Sequence, residues 1–368
     1  MRITIPQPQF LKSLQTVEHA VNDRSTLPIL ANVLLETGEN ELVLTATDLD
    51  VGIRYQFPIT QPLEQGAVAL PARKLTTIVR ELSGEEVVVV EAKKNHTATI
   101  TCGSTSFRIP GLPPEDFPAF PPLQQSDSAS LPQGALKTLI TQTAHAMSVE
   151  ETRFILNGML LLAQKSELTV VATDGRRLAA ASASLNKPIK HPLQAVIPSK
   201  TVRELSRLLQ EEEPEDAEIL PMKDNQITFR FGLTTLVTRL IEGQFPTYEK
   251  VIPPPSKNTV SCGRQALINA VRRVSLMTTA TSQAVIFELN TNRLVVSKES
   301  AELGSAREEL PVTYSGDAIT VAFNPGFWLD VLKVLGSDEV VIEVTGPDRP
   351  AAIRQAGFVY IVLPMKVA

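Results

Sequence analysis

The chain has 368 residues, 43% of them hydrophobic and 20% charged, which is ordinary folded protein long enough for two or three cores. Its net charge of −5 carries no overall signal for nucleic acid. No apolar run approaches the ~18 residues of a membrane span, and Cys102 and Cys262 are too far apart to form a ligand or redox spacing.

Met1–Pro6 alternates as a strand and lacks the apolar stretch of a signal peptide, so with the two cysteines a cytoplasmic protein is expected. From Phe10, "FLKSLQTVEHAV" has apolar residues at three-to-four spacing and predicts a helix over 9–21. Strands "LANVLLE" from Leu30 and "ELVLTATDLD" at 41–50 follow, and Pro71 then introduces a helix over 72–82. Strand "EVVVVEA" comes next, and Phe117-Pro118 closes this first unit.

The same order then recurs. A helix over 133–148, strands "LNGMLLL" from Leu156 and "ELTVVATDGR" at 167–176, a helix over 199–210 after Pro198, and "DAEIL" lead to Phe245-Pro246. A third pass runs through a helix over 264–277, "VIFEL", "RLVVSKESAE" from Arg293, a helix over 325–335 and "EVVIEV". The strands beginning at 41, 167 and 293 are offset by 126, and Pro71, Pro198 and Pro325 by 127. This pattern predicts an α+β protein of three similar domains, 1–125, 126–254 and 255–368, each with two helices packed on antiparallel strands. Their junctions are the proline-rich and polar stretches 121–130 and 252–259.

Charge is segregated along this pattern. The six predicted helices hold 12 Lys and Arg against 4 Asp and Glu, or +8, while the remainder carries −13. A basic set of surfaces on an acidic protein favours a polyanion on one face, although exposed helices also take up Lys and Arg simply for propensity. The helices hold few aromatics, so a backbone-directed, sequence-blind contact is expected over base stacking.

A catalytic set is not legible. His19, His96, His145 and His191 have no partner at ligand spacing, so no metal site is expected, and the phosphate-loop, dinucleotide and nucleophile-elbow motifs are missing. His145 reads as a surface or boundary residue of its helix. Asp174 in "VATDGRRLA", with its repeat counterpart Asp48, is the best carboxylate. A Thr-Asp pair at a strand end fixes a turn, so a structural role is favoured over hydrolase chemistry. A three-domain scaffold that binds only proteins is the other alternative.

Several stretches together, "RSTLPILANVLLE", "LTATDLD", "LPPEDFPAF", "RFILNGMLL", "VATDGRRLA", "GQFPTYEKVIP", "FNPGFWLDVL" and "YIVLPMK", closely resemble the bacterial sliding clamps, the β subunits of DNA polymerase III, from Met1 to Lys366. The resemblance implies a DNA-clamp fold and a head-to-tail homodimer that closes a ring around double-stranded DNA. It implies a processivity factor without catalysis or cofactor, and no membrane association. The implied partners are the replicative polymerase, the clamp loader, and other polymerases and repair proteins that carry short clamp-binding peptides.

Carried over by motif, the peptide-binding residues are Leu156, Thr173, Gly175, Arg176, Arg177, Leu178, Pro246, Val251, Ile361, Val362, Leu363, Pro364 and Met365. The implied DNA-facing residues are Arg24, Arg73, Lys137, Arg153, Lys200, Arg203, Arg207, Arg272 and Arg273. The ring junction would use Lys74 and Phe107 on one side and Leu276, Met277, Glu299, Glu302, Glu308 and Glu309 on the other. Arg176 stands where the family often has His, Leu363 where Met is common, and the chain ends Lys366-Val367-Ala368 instead of Arg-Leu. These departures would change peptide preference.

Overall fold

The computed structural model describes residues 1–59, 62–84, 86–122 and 127–366; the expected 125/126 boundary and the Val367-Ala368 end lie outside them. Among the described residues there are six α-helices: α1 Gln7–Val17, α2 Ala72–Glu81, α3 Gln133–Thr143, α4 Ser199–Leu208, α5 Arg264–Val274 and α6 Pro325–Val334. All six predicted helices are present. Those predicted over 9–21, 133–148 and 264–277 end earlier as α-helix, because each tightens into a 3₁₀ turn: Glu18–Ala20, Ala144–Ala146 and Ser275–Met277.

The helices form where apolar side chains share one face. In α1, Phe10, Leu14 and Val17 are buried at spacings of four and three, with Pro8 in the first turn, where its missing N–H leaves no gap. Ser13 and Thr16 lie among them and donate their hydroxyls to the carbonyls of Phe10 (2.7 Å) and Lys12 (2.8 Å), so these buried polar groups stay satisfied. Gln7 donates to the Val79 carbonyl at 2.6 Å, capping the end of α2, which packs beside α1. In α6 the Asn324 side chain accepts from the Gly326 N–H, and Trp328 stacks on Phe287 at 5.4 Å.

All strand pairs are antiparallel, and the chain forms two compact units. Unit 1 comprises Met1–Gly134, Ile189–His191 and Arg203–Leu240. It holds a four-stranded sheet whose edge is Thr105–Pro110, and an eight-stranded sheet in which Val51–Pro58 pairs with Thr234–Arg239. Unit 2 comprises Ala135–Pro188, Pro192–Val202 and Ile241–Ala368. It holds a four-stranded sheet edged by Gly304–Pro311, and an eight-stranded sheet in which Arg177–Ser184 pairs with Phe358–Val362.

The three sequence repeats are therefore not three separate contact units. The middle repeat gives four strands to each eight-stranded sheet, because its Thr234–Arg239 and Arg177–Ser184 strands hydrogen-bond to strands of the first and third repeats. No helix among the described residues is long and apolar enough to cross a membrane.

Candidate functional site

The turn at 173–177 is built by its own side chains. Thr173 Oγ1 donates to the Arg177 carbonyl (2.6 Å) and accepts from the Gly175 N–H (3.0 Å). Asp174 Oδ1 accepts from the backbone N–H groups of Arg176 (2.9 Å) and Arg177 (3.0 Å). The first repeat makes the same bonds. Thr47 Oγ1 donates to the Val51 carbonyl and accepts from the Leu49 N–H, while Asp48 Oδ1 accepts from the N–H groups of Asp50 and Val51. Asp174 is thus a turn-forming carboxylate, as its repetition indicated, and hydrolase chemistry there finds no support. Gly175 has φ +85, and a Cβ there would lie 2.8 Å from Arg153 Nη1.

Alternation along the two paired strands divides the predicted peptide-binding residues between faces. Leu178 and Ile361 are directly paired and share one face. There they join Leu156, Leu160, Ala180 and Phe245 in an apolar cluster, with Ile155, Ile241, Tyr248 and Ile252 half-buried at its margin. The exposed Gly175-Arg176 turn, Pro246 and Val251 border this face, Thr173 is nearly closed off, and Met365 projects outward. Leu363 and Pro364 are half-buried, and the Leu363 N–H donates to the Arg176 carbonyl at 2.9 Å. An apolar cluster beside a polar, conformationally fixed turn results.

Val362 and Arg177 differ from Leu178 and Ile361 in the face they take. They pair with each other on the opposite face, where Val362 is 0% exposed and the Arg177 side chain 10%. The Arg177 guanidinium bonds Asp174 Oδ2 through Nε (3.0 Å) and Asp330 Oδ2 of α6 through Nη1 (2.8 Å), and lies 4.3 Å above the Phe327 ring. Burial works against its charge, yet the bond to Asp330 and the nearby carboxylates leave its pKa raised. Tyr360 on the same face donates to the Phe327 carbonyl at 2.9 Å.

His145 stands 5.5 Å from the Tyr360 ring, with both ring nitrogens shut from solvent and without a hydrogen-bond partner. Burial and then Arg177 lower its pKa to about 4. The motif carry-over missed Asp330, Phe327 and His145, whose spacing in sequence gives no sign that they meet Arg177. Phe245 did carry a signal, as half of the repeated Phe-Pro pair.

The predicted DNA-facing residues divide further. Arg24, Arg203 and Arg272 are exposed, and Lys137 and Lys200 are half-buried on α3 and α4. Arg73 pairs with Asp23 at 2.7 Å. Arg207 caps the end of α1, donating to the carbonyls of Gln15 (3.1 Å) and Thr16 (3.0 Å), and also binds Glu204. Arg153 donates to the Asp174 carbonyl at 3.2 Å, which sets it beside the 173–177 turn.

Of the predicted junction residues, Phe107 sits on the edge strand Thr105–Pro110 and Lys74 is exposed on α2. Leu276, 69% exposed, and Met277 lie in the 3₁₀ turn after α5. Glu308 and Glu309 are on the edge strand Gly304–Pro311, while Glu299 and Glu302 are exposed before it. Arg273 and Glu308, expected to serve different surfaces, bind each other through two bonds of 2.5 and 3.1 Å, which hold the Glu308 carboxyl below its usual pKa. No group of His, Cys, Asp and Glu able to hold a metal ion occurs among the described residues.

Three family models match the chain in succession: the N-terminal domain of the DNA polymerase III beta subunit at residues 1–121, its central domain at 130–247 and its C-terminal domain at 249–366. A beta sliding clamp of Pseudomonas putida is 32% identical over 100% of both chains. The Pseudomonas aeruginosa sliding clamp bound to griselimycin superposes with a TM-score of 0.95 at 32% identity, covering 100% of both chains. The Bartonella birtlesii clamp bound to griselimycin does so with 0.92 at 33%, again covering 100% of both.

Proposed function

Since the chain belongs to the DNA polymerase III beta subunit family, the beta sliding clamps, we propose that two copies close head to tail into a ring around duplex DNA and hold the replicative polymerase to it. The fold is the three-domain clamp fold of helices on antiparallel sheets. Its role is that of a non-catalytic processivity factor acting in the cytoplasm, with domain boundaries at 125/126 and 254/255. Retention by a closed ring is topological, so contact with DNA stays sequence-neutral and salt-sensitive, as sliding requires.

Closure would pair two sheet edges, Thr105–Pro110 with its Phe107 and Gly304–Pro311 with its Glu308 and Glu309. The exposed cations Arg24, Arg203 and Arg272 are the strongest candidates for phosphate contacts. The apolar face of Leu156, Leu178 and Ile361 would receive short apolar peptides from polymerases, the clamp loader and repair proteins, with the Gly175-Arg176 turn orienting their backbone.

The observation that carries this reading is the full-length match to sliding clamps, two of them bound to griselimycin, together with the apolar cluster beside the fixed 173–177 turn in this chain. The test is retention on nicked circular DNA after loading, compared with the same DNA linearised. A ring survives on the circle and runs off the linear form; equal loss from both refutes it. Griselimycin titration tests the groove, and loss of binding in a Leu178→Asp, Ile361→Asp variant is expected.

A further inference from the structure

The repeat that aligns Asp48 with Asp174 also reproduces the surroundings of its turn. In unit 1 a cavity of about 150 Å³ is lined by Thr47, Leu49, Gly52, Pro118 and Val237, among others. At the repeat offsets, and in the matching strand register, these positions correspond to Thr173, Gly175, Leu178, Pro246 and Ile361 of the unit 2 groove. Gly52 pairs with Val237 as Leu178 pairs with Ile361. The turns agree in backbone as well: Leu49 has φ 79 where Gly175 has φ 85.

The floor of this second groove differs, and the difference is filled from within the chain. Where unit 2 has the side chain of Leu178, unit 1 has a glycine, and the Phe120 ring approaches to 3.2 Å from where a Cβ at 52 would stand. Where unit 2 has Ala180, unit 1 has Arg54, whose guanidinium stacks on the Phe120 ring at 4.2 Å. Burial lowers the Arg54 pKa, which fits a guanidinium covered by that ring. Tyr248, the counterpart of Phe120, only borders the unit 2 cluster, because Leu178 and Ala180 already form its floor.

We infer that unit 1 contains a second peptide groove of the same plan, closed by the Phe120 ring of its own wall. The inference rests on the reading of unit 2 as a peptide groove. It accounts for the difference between the two repeats: the Phe120 ring fills the floor from within the chain, held between Gly52 and Arg54. The ligand chemistry that suits this groove is therefore a short peptide carrying Phe beside proline.

The test uses the full-length chain with Phe120→Ala and a tetrapeptide that copies residues 118–121, acetyl-Pro-Ala-Phe-Pro-amide, with para-fluorophenylalanine read by fluorine NMR. The variant is expected to bind this peptide about 10- to 100-fold more tightly than the unaltered chain, the value of one buried aromatic ring. Adding Gly52→Leu should return binding to the unaltered level, since a leucine there takes the space of the ring. Equal binding with and without Phe120, or indifference to Gly52→Leu, overturns the inference. Griselimycin titration of the same proteins reads unit 2 separately. Retained binding by the variant shows that it is folded, whereas absence of binding to the unaltered chain refutes the unit 2 groove itself.

Discussion

Arg176 and Arg177 are neighbours in sequence, but truncating them should have opposite consequences. Arg177→Ala removes a side chain that is 10% exposed and joins two carboxylates, Asp174 at 3.0 Å and Asp330 at 2.8 Å. Breaking one partner out of a fully buried ion pair costs about 3–5 kcal/mol, because the remaining charge stays buried. Here the cost is lower: the Asp330 side chain is 38% exposed and can rehydrate, and Asp174 keeps two backbone N–H donors. Loss of stacking on Phe327 adds to it, so about 2–3 kcal/mol is expected. Arg176 is 67% exposed and meets Glu150 only at 3.9 Å, so Arg176→Ala should stay within about 0.5 kcal/mol of the unaltered protein. Urea unfolding followed by the fluorescence of Trp328, the chain's one tryptophan, reports on this region, since Trp328 is buried in the helix that carries Asp330. Arg177→Lys should recover only part of the loss, because an ammonium cannot bridge two carboxylates with the same fork. If Arg177→Ala and Arg176→Ala shift the midpoint equally, the assigned network does not contribute as argued.

His145 should make unit 2 acid-sensitive. Its folded pKa of about 4 lies below the ordinary histidine value, so its contribution is complete above about pH 6.5 and is lost as pH falls toward 4, up to roughly 3 kcal/mol. His145→Phe should flatten that part of the stability–pH curve. Gly175→Ala, at φ +85 and facing Arg153, should cost at least about 1 kcal/mol and weaken griselimycin binding measured by calorimetry. Arg203→Ala and Arg272→Ala should each lower DNA affinity equally for all sequences and reduce the slope of log K against log salt by about 0.9. Arg176→His should change the rank order of clamp-binding peptides in a titration series; an unchanged order would show that position 176 does not select among them.

Much of the architecture could be read before any coordinates, for a physical reason. Helices and turns are local, and their determinants lie within a few residues: Phe10, Leu14 and Val17 on one face of α1, or Thr173 and Asp174 bonding to the next residues of their own turn. Repetition at an offset of 126 then made local signals visible three times and exposed Asp174 as a turn former. The groove was legible in part. Leu156, Leu178 and Ile361 do meet, but Val362 and Arg177, adjacent to two of them in sequence, turn to the opposite face. Likewise Arg207 and Arg273 looked like free cations until their partners, Gln15 and Thr16 for one and Glu308 for the other, were brought to them.

What the sequence alone determined is therefore the repeated plan, the helices and the turns, because each is set by contacts between near neighbours in the chain. The tertiary structure alone decided which strands cross from one repeat into the next and which face every side chain takes. Those outcomes depend on pairing partners far away in sequence, such as Asp330, which lies 153 residues beyond the arginine it holds. A one-residue alternation along a paired strand then sends Leu178 to the groove and Arg177 to the helix.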